Sequence, residues 1–384
     1  MKTQIINAKV ILDDQILYNG VVAFNNGFIT YVGNEEQQVD KTIDAKGNFL
    51  FAGFIDIHCH GGNGLDFMDA TQSEMTEISK FHLKHGTTTL YATTLTDTME
   101  NIENALKVYA TIENPLTLAG VHLEGPWFSP LQCGAQDTST MSLPTVKKFE
   151  ELMRKYPFIK RVSIAPELDG ALEVGKCGKS WGISMSIGHT DADFDTVVKA
   201  SNSGFNLMTH FYSGMRGVVR KNAYREAGAI EGGYYCDNLA VEIIADGKHL
   251  PHSLLKLIYK IKGADKICLI TDGTRGSGLN DGETFMLGKL DGGTLSIIED
   301  GVAKLPDRTS FAGSVATTDR LVRTMHDLAK VNLCEISKMA SKTPAKVMGL
   351  TDRGYIAVGM RADFVFMDEN LNVQKVIFKG EEVE

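Results

Sequence analysis

The sequence predicts an α/β protein built around a (β/α)8 TIM-like barrel, with a small β-sandwich domain assembled from both chain termini. Two observations lead to this fold. The middle of the chain alternates eight short apolar runs with helical stretches, and continuous apolar runs are typical of parallel strands buried on both faces. Both ends of the chain instead consist of short apolar runs broken by turn residues such as Asn-Gly, which indicates strands joined by tight turns.

The chain of 384 residues is long enough for one large barrel and a second unit. Hydrophobic residues make up 43% of it and charged residues 23%, which is ordinary for a folded protein. We expect residues 1–50 and 355–384 to form the small domain, and residues 51–354 to form the barrel.

Eight runs are predicted as the barrel strands. They occupy residues 54–60, 87–95, 118–125, 159–167, 183–189, 205–212, 239–247 and 266–273. Helical stretches such as SEMTEISKFHLKHG and PHSLLKLIYKIKG lie between them, and several end in glycine, a common helix stop. A doubly wound open sheet is the competing interpretation, but no GxGxxG motif follows the first strand, so the barrel is favoured.

Charge and composition exclude several classes of function. The net charge of −9 argues against a general nucleic-acid binder, which normally carries a basic surface. No run approaches the ~20 apolar residues of a membrane span, and Asp13 and Asp14 precede any long apolar run, so no export signal is expected. The six cysteines form no CxxC pair. We therefore predict reduced thiols, a cytoplasmic protein and a small-molecule substrate, with no nucleic-acid or membrane partner.

Ionisable residues recur where a barrel places its active site, at the carboxyl ends of the strands. The first predicted strand ends in His58-Cys59-His60, and the period-two pleat turns both histidines to the same side. The ends of strands 3, 5, 6 and 8 carry Glu124, His189, His210 and Asp272, in that order.

Imidazole and carboxylate groups are suitable ligands for Zn²⁺ and for Fe²⁺ or Mn²⁺. Such an ion lowers the pKa of a bound water to about 7, and a neighbouring carboxylate can exchange protons with the reactants. The pattern therefore predicts metal-assisted hydrolysis. Each residue alone has a simpler explanation, such as Asp272 capping the next helix, so the prediction depends on the joint pattern. Five other histidines are interpreted as structural: His82, His85, His122, His252 and His326.

These residues lie in motifs that resemble a known family. FAGFIDIHCHGG resembles the opening of the amidohydrolase superfamily. VHLEGPWFSP, SIGHTDADF, MTHFYSGM, IADGKHL, LITDGT and FAGSVATTD, in that order, are similar to the N-acetylglucosamine-6-phosphate deacetylase family, and the likeness spans nearly the whole chain. The resemblance implies hydrolysis of N-acetylglucosamine 6-phosphate, or a close N-acetylhexosamine 6-phosphate, to the amine and acetate in amino-sugar catabolism.

The resemblance also assigns roles at the metal centre. It implies a main metal held by Glu124, His189 and His210, with Asp272 as the catalytic acid and base. Members that hold a second ion use the strand-1 histidines, here His58 and His60. We therefore expect one or two divalent ions per chain, with Zn²⁺ preferred over Fe²⁺ and Mn²⁺.

Substrate contacts are implied at nine further positions. They are Ala135, Gln136, Ser213, Gly214, Arg225, His249, Phe311, Ala312 and Gly313. The family is usually dimeric, so a homodimer is expected, with Arg225 reaching the neighbouring subunit's pocket. The basic stretch 216–224 offers further cations for a phosphate: Arg216, Arg220 and Lys221. Ser213-Gly214 replaces the usual Asn-Ala, and Gln136 replaces a common His, which leaves the sugar epimer open.

The sequence leaves two other functions open. Another amidohydrolase is one, such as an N-acetylgalactosamine-6-phosphate deacetylase, an N-acyl amino acid hydrolase, a deaminase or a ring-opening enzyme. Ring-opening members usually carry a carboxylated lysine at the end of strand 4, where this chain has Ala165-Pro166-Glu167. A non-enzymatic sugar-phosphate-binding protein is the second alternative, but such a protein is expected to lose a ligand or the acid/base, and all are present.

Overall fold

The computed structural model describes residues 1–383; residue 384, the last position of the predicted small domain, lies outside this range. Eight parallel strands form the central sheet, and each pairs with its neighbours in chain order. They span Phe54–Cys59, Thr87–Thr93, Leu118–Glu124, Ile159–Ile164, Ser184–Ile187, Phe205–Met208, Ala240–Ile243 and Ile267–Leu269. These strands fall within the eight predicted runs and confirm the barrel.

The barrel closes between its first and last strands, just beyond their regular ends. The amide of Asp272 donates to the carbonyl of His58 at 2.9 Å, and the amide of His60 donates to the carbonyl of Gly273 at 2.7 Å. A parallel bridge joins Cys59 to Gly273. The seam of the barrel therefore runs through the segments that carry predicted site residues.

Helices cover the outside of the barrel. Those that follow the eight strands span Gln72–Lys84, Met99–Tyr109, Val146–Lys155, Ala171–Ser180, Phe194–Asn202, Ala229–Tyr235, His252–Lys262 and Thr318–Asp327. The chain then continues through Leu333–Ser337, the π-helical turn Lys338–Lys342 and Thr343–Val347, and short 3-10 turns lie at Pro130–Gln132, Thr138–Thr140 and Ala264–Lys266. The first helix begins with a capping box of Thr71 and Glu74. The apolar faces of helices and strands pack into the main core.

Both chain termini contribute to a second sheet, as predicted. Its strands are Lys2–Ile11, Ile16–Asn25, Phe28–Gly33, Lys41–Asp44, Phe49–Ala52, Phe364–Met367, Val373–Phe378 and Glu381–Glu382. Phe49–Ala52 pairs with Lys2–Ile11 on one side and antiparallel with Phe364–Met367 on the other. The sheet branches at its first strand and has an apolar core of its own, which includes Ile5, Val22 and Phe364.

A three-stranded antiparallel sheet, which the sequence analysis did not predict, follows the last barrel strand. It consists of Thr284–Leu287, Thr294–Glu299 and Val302–Lys304. Phe285, Ile298 and Ala312 belong to its small apolar core. We call residues 284–313 the insert. Two small hairpins complete the structure, Gly61–Gly62 with Leu65–Asp66, and Val219–Lys221 with Tyr224–Glu226.

None of the helices in the described part of the chain combines the length and the apolar character that a membrane crossing requires. The six cysteines are all unpaired, which agrees with the predicted free thiols. Cys59, Cys236, Cys268 and Cys334 are buried, whereas Cys133 and Cys177 are half-buried.

Candidate metal-dependent active site

Three of the predicted ligands converge at the carboxyl end of the barrel. The Nε2 atom of His210 lies 3.1 Å from Oε1 of Glu124 and 3.1 Å from Nε2 of His189. The His189 Nε2 atom lies 3.5 Å from the same carboxylate oxygen. All three side chains are buried. One carboxylate and two imidazoles therefore point to a single position.

The second nitrogen of each imidazole shows what this position requires. The His189 Nδ1 atom lies 2.9 Å from the carbonyl oxygen of Gln132, and the His210 Nδ1 atom lies 3.1 Å from that of Ser213. A carbonyl can only accept, so both Nδ1 atoms carry the proton. In the neutral rings each Nε2 then presents a lone pair, and two lone pairs face each other beside a carboxylate. A divalent cation satisfies this donor set.

A second cluster of possible ligands adjoins the first. The Asp272 Oδ1 atom lies 3.2 Å from Nε2 of His60 and 3.4 Å from Nε2 of His58. The same His60 nitrogen lies 3.3 Å from Oε2 of Glu124. The two clusters are thus contiguous, with Glu124 between them. Together they could hold one or two ions.

The pKa shifts in the two clusters show that the carboxylates favour bound positive charge. Burial lowers the pKa of His58, but the carboxylates of Glu124 and Asp272 outweigh burial and raise it to about 9. Burial raises the pKa of Asp272, but the neighbouring His58 and His60 outweigh it and lower the pKa to about 2. Burial likewise opposes ionisation of Glu124, yet the surrounding imidazoles hold its pKa well below the usual range. Protons and a divalent cation would therefore compete for this site.

The backbone is strained where the ligands leave their strands. His189, His210 and Asp272 have φ angles of 45°, 27° and 47°, in the left-handed region that side chains rarely adopt. Each such residue costs about 1–3 kcal/mol, which the surrounding structure must offset. Strain at three ligand positions at one rim is typical of a functional site. Gly214 (φ 58°) allows a close approach, because a Cβ there would lie 3.0 Å from Nδ1 of His189.

The two clusters open into a cleft of about 560 Å³. Seven of the nine positions predicted for substrate contact line it: Ala135, Gln136, Ser213, Gly214, His249, Phe311 and Gly313. The Gln136 amide nitrogen lies 2.9 Å from Nε2 of His189 and 3.2 Å from Oε2 of Glu124. His249 is held by Asp246 through a contact of 2.8 Å at Nδ1 and lies against the ring of Phe311. The structure thus brings most of the predicted contacts around the ligands.

Two predicted contact positions are not among the residues that line the cleft. The Ala312 side chain is fully buried in the core of the insert, and its amide donates to the carbonyl of Ala303. Arg225 lies exposed on the hairpin Val219–Lys221 and Tyr224–Glu226. Contact of Arg225 with a neighbouring subunit's pocket stays a prediction. The nearby Arg216 is paired with Glu226 at 2.9 Å.

The structure also adds residues that the sequence analysis did not select. From the insert, Leu287, Lys304, Arg308, Thr309 and Ser310 line the cleft. Lys304 pairs with Asp300 at 2.9 Å, and Arg308 pairs with Glu299. Arg308 has a φ of 59°. A sequence signal existed in the basic residues of KLPDR, but only the fold places this turn over the cleft.

The predicted structural histidines lie away from the two clusters or beneath them. His122 is buried, with Nε2 2.7 Å from the Ser163 hydroxyl. His82 is buried with Nε2 2.8 Å from the carbonyl of Gly61. Burial lowers the pKa of both rings, that of His82 to about 4. These rings are neutral at pH 7 and belong to the packing.

A closed parallel barrel that gathers candidate histidine and carboxylate ligands at its carboxyl rim is typical of metal-dependent hydrolases. The model of the amidohydrolase family matches residues 49–383. The chain therefore belongs to the amidohydrolase family. Relatives that are 31–34% identical over most of this chain are N-acetylglucosamine-6-phosphate deacetylases.

Individual proteins give the extent of this similarity. The N-acetylglucosamine-6-phosphate deacetylase of Bacillus subtilis (strain 168) is 34% identical, over 97% of this chain and 94% of its own. The N-acetylgalactosamine-6-phosphate deacetylase of Escherichia coli O157:H7 is 29% identical, over 86% and 87%.

Solved structures agree with this similarity. The N-acetylglucosamine-6-phosphate deacetylase of Thermotoga maritima has a TM-score of 0.87 at 31% identity, and 99% of each chain is covered. An aspartate-to-alanine variant of the Mycobacterium smegmatis enzyme, in complex with N-acetyl-D-glucosamine-6-phosphate, has a TM-score of 0.91 at 28% identity, again over 99% of each chain.

Proposed function

We propose that the protein is a metal-dependent deacetylase that hydrolyses N-acetylglucosamine 6-phosphate to glucosamine 6-phosphate and acetate. The observation that carries this proposal is the convergence of two histidine lone pairs and the Glu124 carboxylate beside Asp272, in a cleft large enough for a sugar phosphate. The relatives and solved structures named above support the substrate class.

The chain's own ligands fit a divalent ion, and we propose Zn²⁺, with Fe²⁺ and Mn²⁺ as alternatives. Glu124, His189 and His210 would hold the main ion, and His58, His60 and Asp272 a second one. When bound, the ion supplies Lewis acidity, which polarises the amide carbonyl and makes hydroxide available at neutral pH.

Asp272 is the proposed proton carrier. Its carboxylate is ionised at neutral pH, because His58 and His60 hold its pKa low. It therefore begins the reaction as a base and takes the proton of the attacking water. It then gives this proton to the departing nitrogen, since the amine must leave in protonated form rather than as an amide anion. The strained backbone at Asp272 aims the carboxylate into the cleft.

The phosphate end of the substrate requires cations, because a phosphoryl group carries about −1.5 to −2 charge. Three groups of this chain line the cleft and suit that role: His249, Lys304 and Arg308. We propose that Arg225 adds a further cation from the partner subunit of a homodimer, since its side chain is exposed on a hairpin outside the cleft lining. We also propose a cytoplasmic location and a role in amino-sugar catabolism.

Acetate release tests the proposal directly. The purified protein is assayed with N-acetylglucosamine 6-phosphate, N-acetylgalactosamine 6-phosphate and unphosphorylated N-acetylglucosamine, and bound metal is measured in the same samples. An N-acyl amino acid and a hydantoin represent the other amidohydrolase reactions. We expect the highest kcat/KM for N-acetylglucosamine 6-phosphate. A higher value for the galactosamine epimer would change the assigned sugar, and activity only on the last two compounds would refute the proposal.

A further inference from the structure

A buried ion pair lies directly beneath the two ligand clusters and has no role in the reaction described so far. Arg161 on the fourth barrel strand and Glu242 on the seventh are both fully buried and form this pair. Arg161 also donates to the carbonyl of Ile57 at 2.9 Å. A buried ion pair often stabilises a fold no better than apolar residues of the same volume. Its position next to the ligands therefore points to a functional reason.

The second oxygen of Glu242 reaches both clusters. It lies 3.3 Å from Nδ1 of His58 and accepts from the backbone amide of His210 at 3.1 Å. An ionised carboxylate only accepts, so the His58 Nδ1 atom carries the proton. The Nε2 atom of His58 is thereby left to face His60 at 3.3 Å and Asp272 at 3.4 Å.

We infer that Glu242, held in place by Arg161, is the positioning residue that fixes the tautomer and orientation of His58 and so builds the second cation site. His60 does not share this task, because its buried Nδ1 atom has no hydrogen-bond partner among the described residues. The orientation of the second site therefore depends on His58 and on the carboxylate behind it. The inference rests on the proposed function only in treating His58, His60 and Asp272 as a cation site.

The effect of Glu242 should be selective for this site. The rings of His189 and His210 are oriented by the carbonyl oxygens of Gln132 and Ser213. Within the described residues, the Glu242 carboxylate hydrogen-bonds to the first cluster through the backbone amide of His210 alone. Loss of the carboxylate should therefore weaken binding of the second ion more than binding of the first.

Metal titration of the full-length protein tests the inference without any substrate. Protein freed of metal with a chelator is titrated with Zn²⁺ by calorimetry against a competing chelator, and the wild type is expected to bind two ions per chain. In Glu242→Gln the weaker ion should bind about 10–100-fold less tightly, while the other keeps its wild-type affinity. Glu242→Asp keeps the charge opposite Arg161 but withdraws the oxygen from His58, so it carries the test if Glu242→Gln does not fold.

A buried pair elsewhere provides the matched control. Asp363→Asn breaks the buried Arg361–Asp363 pair of the small domain, so it should lower the melting temperature and leave both ions bound. The inference is overturned if the wild type binds a single ion, if the Glu242 variants keep two ions at wild-type affinity, or if they lose both ions alike. Absence of deacetylase activity would instead overturn the proposed function and leave these binding results standing.

Discussion

Replacement of Asp272 by asparagine separates proton transfer from binding of the main ion. The buried carboxylate lies 3.2 Å from Nε2 of His60 and 3.4 Å from Nε2 of His58. Asparagine has nearly the same shape, but its amide cannot take up a proton at neutral pH. Substrate binding should therefore survive the change, while the step that needs a base should not.

The expected loss follows from the size of general acid–base catalysis. A positioned acid or base contributes about 10²–10⁴-fold to the rate, which corresponds to about 3–5 kcal/mol in the activation free energy. The side-chain ion pairs of Asp272 within the described residues run to His58 and His60 of the second cluster. The ion held by Glu124, His189 and His210 should therefore stay bound. We expect kcat to fall by this factor and KM to change little.

Acetate release and metal content are measured together on the wild type and on Asp272→Asn. The control is Asp319→Asn, because Asp319 is also a buried carboxylate but pairs with His85 and Arg323, away from the cleft. The control should keep most of the wild-type kcat. A kcat of Asp272→Asn within tenfold of the wild type, with the main ion bound, would show that another group moves the proton.

Three further predictions follow from the site and its surroundings. His210→Ala removes one of three converging ligands, so bound metal and acetate release should fall together; full metal content with normal turnover would remove His210 from the site. Arg308→Ala should raise KM for N-acetylglucosamine 6-phosphate more than for the unphosphorylated sugar, and Arg225→Ala should do the same only if sedimentation shows a dimer; equal effects on both sugars would place the phosphate elsewhere. Burial lowers the pKa of His82 to about 4, so the unfolded chain binds its proton first as the pH falls from about 6.5. Urea unfolding should therefore show about 3 kcal/mol of stability lost between pH 6.5 and pH 4, and this part should be missing in His82→Gln.

The convergence of the candidate metal ligands could be predicted from the sequence because they lie at strand ends. Glu124, His189, His210 and Asp272 each follow a recognisable apolar run, and a parallel barrel brings all such ends to one rim. The position of each residue at a strand end and the meeting of these ends at one rim can both be inferred without knowing the distances between strands. The small domain was predicted for a similar reason, since turn residues mark its short strands at both ends of the chain.

The groups beneath the rim were missed because they lie inside the strands. Glu242 and Arg161 sit within the runs LAVEIIADG and IKRVSIAPE, which were interpreted by their apolar residues. Charges are almost never fully buried unless they are paired, so their presence in such runs was a usable signal. The fourth and seventh strands are not neighbours in the sheet, so these two charges pair across the barrel interior, and the order of the strands alone does not specify that contact.

The roles of residues on the insert, and of residues that depend on a second copy of the chain, could not be predicted for a different reason. Lys304 and Arg308 line the cleft because the insert returns over the rim after the eighth strand, and nothing in the alternation of strands and helices specifies that return. Arg225 lies on an exposed hairpin. Its role depends on assembly, which a single chain does not define.

The pairing of Phe49–Ala52 with Phe364–Met367 also has a consequence for synthesis of the protein. The N-terminal strands leave the ribosome early, but one neighbour of Phe49–Ala52 is translated roughly 310 residues later. At a synthesis rate of about 5–20 residues per second, this edge of Phe49–Ala52 stays without its partner strand for roughly 15–60 s, with backbone amides and carbonyls unpaired. An open strand edge is a template for pairing with another chain. We therefore expect chaperones to shield the nascent N-terminal strands until Phe364–Met367 has been synthesised.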